Sequence, residues 1–159
     1  MHKVGFGYDI HRLEAGRRLV LGGIEIPFET GLLGHSDGDA LVHAMIDALL
    51  GALGEGDIGT HFPDTDPRHK GARSTRLLEA VAALVRARGG EIVNVDAVVV
   101  AEEPKIGPHA EAMKAVLGPV LGLPVGALGI KGKTNEGLGP VGEKRAIAAY
   151  AVALVKFPD

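Results

Sequence analysis

Asp9-Ile10-His11, and Asp39 followed by His43 in the stretch SDGDALVHAMIDALLGALG, bring two imidazoles and two carboxylates into spacings that a divalent metal can use. Alternate residues of an extended segment point to one side, so Asp9 and His11 can converge. Residues four apart on a helix share a face, which makes Asp39 and His43 neighbours. A short Asp-x-His strand end meeting a helical His supplies three protein ligands and leaves one coordination position open, as in a catalytic rather than a structural zinc site. Each residue also has an ordinary reading. Asp9 and His11 suit a solvated salt bridge, and a lone helical His suits a hydrogen-bonded core position. Asp39 and Asp47 lie four residues to either side of His43, where one of them can accept the second ring N–H and fix the tautomer.

Three further polar sets surround this cluster. His35-Ser36 precedes the His43 helix in a Gly-rich loop, where helix N-terminal N–H groups attract phosphate oxygens; Ser36 equally suits a helix cap. Asp57-Ile58-Gly59 and Phe62-Pro63-Asp64-Thr65-Asp66 form an acidic stretch in which Gly59 permits close backbone approach and Asp57 can grip a sugar diol. Pro104-Lys105, together with Lys131, Lys133, Thr134 and Glu136, completes the inventory. Lys and Thr beside a carboxylate suit a phosphate shared with a hard cation. An ordinary solvated loop is the competing reading of both sets.

The elements that must position these groups follow from pattern. Residues 3–8 and 18–28 read as strands around a Gly-containing turn. Residues 29–36 read as a polar loop, and Asp37 or Ser36 as the cap of a helix from about 38 to 53. Residues 54–71 have no periodicity and form a long loop, a length that favours function. Ser74 is expected to cap a second helix that ends at Gly89-Gly90. A buried strand follows at about 91–101, a third helix opens at Pro108, and 128–134 reads as a strand. AIAAYAVALVKF is ambiguous, since its alanines favour helix while its apolar continuity permits a buried strand. The pattern is one α+β layer domain over residues 1–159.

Composition limits the function. The 159 residues suffice for one domain with a sizeable core, and 46% are apolar. The core must be aliphatic, because aromatics amount to 4%. A net charge of −3 argues against a nucleic-acid binder. Cysteine is absent, so a metal must use His, Asp or Glu. No stretch is apolar enough to span a bilayer, and the N-terminus lacks a signal-peptide run, so a cytoplasmic location is expected.

GYDIHRL, then IPFETGLLGHSDGDALVHAMIDALLGALGEGDIGTHFPDTDP, then KTNEGLG resemble the 2-C-methyl-D-erythritol 2,4-cyclodiphosphate synthase family of the non-mevalonate isoprenoid pathway, nearly end to end. The resemblance implies an α/β sandwich with a mostly four-stranded sheet, helices on one face, and a homotrimer with interfacial active sites. It implies that 4-diphosphocytidyl-2-C-methyl-D-erythritol 2-phosphate is closed to the cyclic diphosphate with release of CMP. Carried over by position, Asp9, His11 and His43 would bind Zn²⁺, and His35 and Thr134 would stabilise the transition state. His35-Ser36, Asp57 to Gly59 and Phe62 to Asp66 would contact the methylerythritol phosphate. Ala101, Pro104, Lys105, Ile106 and Gly107 would embrace the cytidine. Lys133, Thr134, Asn135 and Glu136 would reach the diphosphate from a neighbouring subunit, with Glu136 holding Mg²⁺ or Mn²⁺.

Two departures from the family pattern stand out. Many members carry Phe and Arg where this chain has Pro140 and Glu143. In those members the pair lines a cavity on the trimer axis that can hold an isoprenoid diphosphate, so weak or no binding is expected here. Lys133 stands where the family motif reads Thr. Two competing functions remain: a zinc-dependent hydrolase acting through an activated water, and a non-catalytic metal- or nucleotide-binding module.

Overall fold

The computed structural model describes residues 1–159. Seven strands and five α-helices run in the order β1 (His2–Ala15), β2 (Leu19–Leu21), β3 (Ile24–Ile26), β4 (Thr30–Leu32), α1 (Ala40–Leu53), α2 (Ile58–His61), α3 (Ser74–Ala87), β5 (Glu91–Val100), α4 (Ala110–Leu121), β6 (Leu128–Lys133), α5 (Gly139–Gly142) and β7 (Ala146–Lys156). The main sheet is five-stranded, in the order β4-β1-β7-β5-β6. The four-stranded expectation fails because β4, three residues long, is hidden in the stretch read as a polar loop; it pairs antiparallel with the end of β1. Only β5 and β6 run parallel, and α4 supplies the crossover between them. Residues 18–28 form a tight hairpin, β2–β3, turning at Gly22-Gly23, rather than one strand.

The sheet buries one face under α1, α3 and α4. How close α1 can come is decided by small residues. Gly5 and Gly7 of β1 lie opposite Ala153 and Ala151 of β7. A Cβ on Gly5 or Gly7 would overlap the carbonyl oxygens of Ala48 or Ala44. The backbone of α1 therefore rests directly on the sheet. This also settles the ambiguous C-terminal segment. Its alanines are strand residues whose short side chains admit the helix, so tertiary packing overrides their helix propensity.

The opposite face of β1 and β7 is bare. Val4, Phe6, Tyr8, Ile10, Tyr150 and Val152 are 39–66% exposed. Their rings cluster, with Tyr8 and Tyr150 centroids 5.0 Å apart. No helix is long and apolar enough to cross a membrane.

Candidate metal centre and active site

The second half of β1 and the first turn of α1 meet at Asp9, His11 and His43. Asp9 Oδ2 lies 2.7 Å from His11 Nε2 and 3.0 Å from His43 Nδ1, and the two nitrogens are 3.2 Å apart. One carboxylate oxygen and two imidazole nitrogens thus crowd a single point. The outward nitrogens have their own partners. His11 Nδ1 donates to the Leu33 carbonyl at 2.6 Å, so its Nε2 faces the cluster. His43 Nε2 lies 2.8 Å from Ser74 Oγ and 3.1 Å from Ser36 Oγ.

The Ser74 hydroxyl fixes the His43 tautomer. Asp37 accepts both the backbone N–H of Ser74, at 3.0 Å, and its hydroxyl proton. With that proton committed, Ser74 Oγ accepts from His43 Nε2–H, and His43 Nδ1 turns a lone pair toward Asp9 and His11. The donor set fits a borderline cation of the zinc type, whose His ligands give their second N–H to an oxygen acceptor.

Two expected partners of His43 are assigned elsewhere. Asp39, not Asp37 or Ser36, caps α1, accepting from Val42 N at 3.1 Å. Its oxygens also take Gly22 N at 2.9 Å and Gly23 N at 2.8 Å, so the buried carboxylate ties the β2–β3 turn to α1. Asp47 accepts from Ile58 N at 2.8 Å. Ser74 is the first residue of α3 and not its cap. Pro108 falls in a 3-10 turn before α4, which begins at Ala110.

Burial works against charge on both Asp9 and His11, but their mutual bond dominates. The hydrogen bond and charge of His11 hold the Asp9 carboxyl below its ordinary value. The bond and charge of Asp9 raise the His11 imidazole above its own.

The triad opens into a pocket of about 320 Å³. Among the residues singled out from the sequence, His35, Ser36, Ile58, Gly59, Phe62 and Asp64 line it with Asp9, His11 and His43. Others on the same loops hold the loops in place instead. Asp57 caps α2 through Thr60 N and Oγ1, at 2.9 and 2.8 Å. Asp66 caps the 3-10 turn at Pro67–His69 and pairs with Arg68 at 2.6 Å, which lowers its carboxyl to about 2. The Asp66 carbonyl accepts from His35 Nε2 at 3.4 Å. Pro63 and Thr65 are outside the lining. His69, Leu33 and Leu77 line the pocket and were not singled out from the sequence. His69 packs edge-on to Phe62, with centroids 5.4 Å apart; its place three residues after Asp66 was the available signal.

The remaining candidates gather elsewhere. Ala101, Lys105, Ile106, Gly107, Lys133 and Thr134 line a separate cavity of about 430 Å³ between the β5 end and β6. Pro104, Asn135 and Glu136 are outside its lining. The Asn135 and Gly137 N–H groups donate to Glu102 Oε1, at 2.7 and 3.3 Å, which curls the loop that carries Glu136. One chain thus holds a triad pocket and a Lys-Thr pocket that do not merge.

The fold and site define a single-domain α+β protein with an open two-histidine, one-carboxylate centre. The YgbB family profile matches residues 2–156, and the chain belongs to that family. It is 60% identical over 97% of its length, and 96% of the relative's, to the 2-C-methyl-D-erythritol 2,4-cyclodiphosphate synthase of Dechloromonas aromatica. A solved 2C-methyl-D-erythritol-2,4-cyclodiphosphate synthase in a CDP-bound form superposes with a TM-score of 0.89 at 45% identity, covering 97% of this chain and all of that one. The bifunctional IspDF of Campylobacter jejuni superposes with a TM-score of 0.95 at 38% identity; this chain covers 43% of that longer one.

Proposed function

We propose that this chain converts 4-diphosphocytidyl-2-C-methyl-D-erythritol 2-phosphate to 2-C-methyl-D-erythritol 2,4-cyclodiphosphate and CMP. The observation that carries this reading is the shared wall: the His35–Ser36 phosphate loop and the Asp9–His11–His43 centre face one pocket. Nucleophile and leaving group both belong to the substrate. The protein therefore needs to position phosphates in line and neutralise their charge, which requires no Cys or Ser nucleophile.

Asp9, His11 and His43 would hold Zn²⁺, which when bound supplies Lewis-acid polarisation of a phosphate oxygen. His35, steadied through Asp66, would orient the attacking phosphate as Ser36 donates to it. Asp57 to Gly59 and Phe62 to Asp66 would enclose the sugar alcohol. Ala101 and Pro104 to Gly107 would receive the cytidine, and Lys133 to Glu136 the diphosphate. Glu136 would share Mg²⁺ or Mn²⁺ with the substrate phosphates.

The separation of the two pockets, and the bare apolar face of β1 and β7, support a homotrimer in which each active site joins the triad pocket of one copy to the Lys-Thr pocket of the next. Glu143 pairs with Arg145 at 2.6 Å and Lys144 with Glu103 at 3.0 Å. These pairs use up the local cations, in keeping with weak or no binding of isoprenoid diphosphate on the trimer axis. A cytoplasmic location, with neither nucleic acid nor membrane as partner, completes the reading.

Incubation with the diphosphocytidyl substrate and divalent metal decides. Cyclic diphosphate with stoichiometric CMP is the expected outcome. Linear hydrolysis products would replace the cyclase with a zinc hydrolase, and no turnover would leave a binding module.

A further inference from the structure

A second concavity lies behind the His35–Ser36 loop. Its volume is about 480 Å³, and Ser36 lines both it and the triad pocket. Three arginines, Arg17, Arg18 and Arg73, line it, although the chain as a whole carries a net charge of −3.

Two of these cations lack a carboxylate partner. Arg17 donates Nε to the Leu32 carbonyl at 2.9 Å. That bond sets the plane of the guanidinium and leaves both terminal nitrogens as an open fork. Arg73 stands just before α3 and makes no capping bond. Arg18 reaches Glu25 at 3.5 Å, between two exposed side chains. Asp37 also lines the cavity, but its oxygens already accept from Ser74 N, the Ser74 hydroxyl and Asp39 N. Three cations therefore line the cavity with two carboxylates, Asp37 and Glu25, and of the two only Glu25 has oxygens free of backbone and hydroxyl donors. Thr75, in the first turn of the 14-residue α3, adds a hydroxyl and the positive end of the helix to the same wall.

We infer that this cavity is a binding site for a small phosphorylated anion, gripped by the Arg17 fork and by Arg73, with Thr75 donating. A planar fork with two free nitrogens matches two oxygens of one phosphoryl group. The second guanidinium and the volume leave room for a second phosphoryl group. The site is distinct from the triad pocket and does not depend on the reaction proposed for it.

Inorganic pyrophosphate is the probe. Calorimetric titration of the full chain should show binding that Arg17→Ala/Arg73→Ala weakens by about tenfold or more, as expected for loss of charge-assisted hydrogen bonds. Glu25→Gln removes one of the two lining carboxylates and should tighten binding by about threefold, a gain that a folding defect cannot mimic. Crystals soaked in tungstate should show an anomalous peak between Arg17 and Arg73. Equal affinity in the wild type and the double variant, no gain in Glu25→Gln, or anomalous density confined to the triad pocket would overturn the site. A tungstate peak without any solution effect would mark an adventitious ion only and would overturn it equally.

Discussion

Ser74 Oγ sits 2.8 Å from His43 Nε2 and donates its own proton to Asp37. A residue from the start of α3 thus decides which nitrogen of an α1 histidine faces the metal centre. Ser74→Ala should leave the fold intact and lower Zn²⁺ affinity by about 10–100-fold, the usual effect of losing such a partner. Competition against a chromogenic chelator measures it. Unchanged affinity would mean that Ser36, 3.1 Å from the same nitrogen, suffices alone.

Metal and proton compete for His11. Its folded pKa is raised above 6.5, so its contribution to metal-free stability is full below that value and fades as the pH climbs through the raised one. Asp9 is depressed below 3.8, so its contribution is present above that value and fades as the pH falls through the lowered one. An ion requires His11 Nε2 bare. Apparent Zn²⁺ affinity should therefore rise with pH from about 6 and level off once His11 has lost its proton. Calorimetry in buffers of different ionisation enthalpy should register the released proton; a flat profile contradicts the coupling.

Gly7→Ala tests the contact between strand and helix. The new Cβ would collide with the Ala44 carbonyl, and Ala48 N would lie 2.8 Å away. Both are backbone atoms that cannot rotate aside. A loss of about 3 kcal/mol is expected from such overpacking, read as a lower urea midpoint at constant slope. A midpoint unchanged from wild type would show that α1 can lift off the sheet without cost.

A site divided between copies, as in the proposed trimer, can be reassembled from broken ones. His43→Ala and Thr134→Ala should each be inactive alone. Mixed trimers refolded from equal amounts should recover about a quarter of wild-type activity, because one junction in four pairs two intact halves. No recovery would place both residues in a site formed by a single chain.

Much of the centre was legible because it follows local periodicity. Asp9 and His11 share a strand face, and His43 lies on the helix that the pattern of Leu41, Ala44, Met45 and Ala48 announces. What escaped depends on contacts distant in sequence. Ser74 reaches His43 across 31 residues, and nothing near Ser74 distinguishes it from a helix cap. Asp39 resembles a metal ligand by spacing, yet three backbone N–H groups, two of them from a hairpin turn, claim it. The fifth strand was lost because three residues carry no period. β7 stayed ambiguous because its alanines answer to the helix above them rather than to strand propensity.

The seating of α1 on Gly5 and Gly7 bears on which ions the centre accepts. Hard backbone contact sets the distance from the strand bearing Asp9 and His11 to the helix bearing His43 before any ion arrives. The span between the two backbones that carry the three donors is therefore set by the fold. Two imidazoles and one carboxylate at such a fixed span would suit a small four-coordinate ion and would offer a Ca²⁺-sized ion, which takes six to eight oxygens, too few of the ligands it needs.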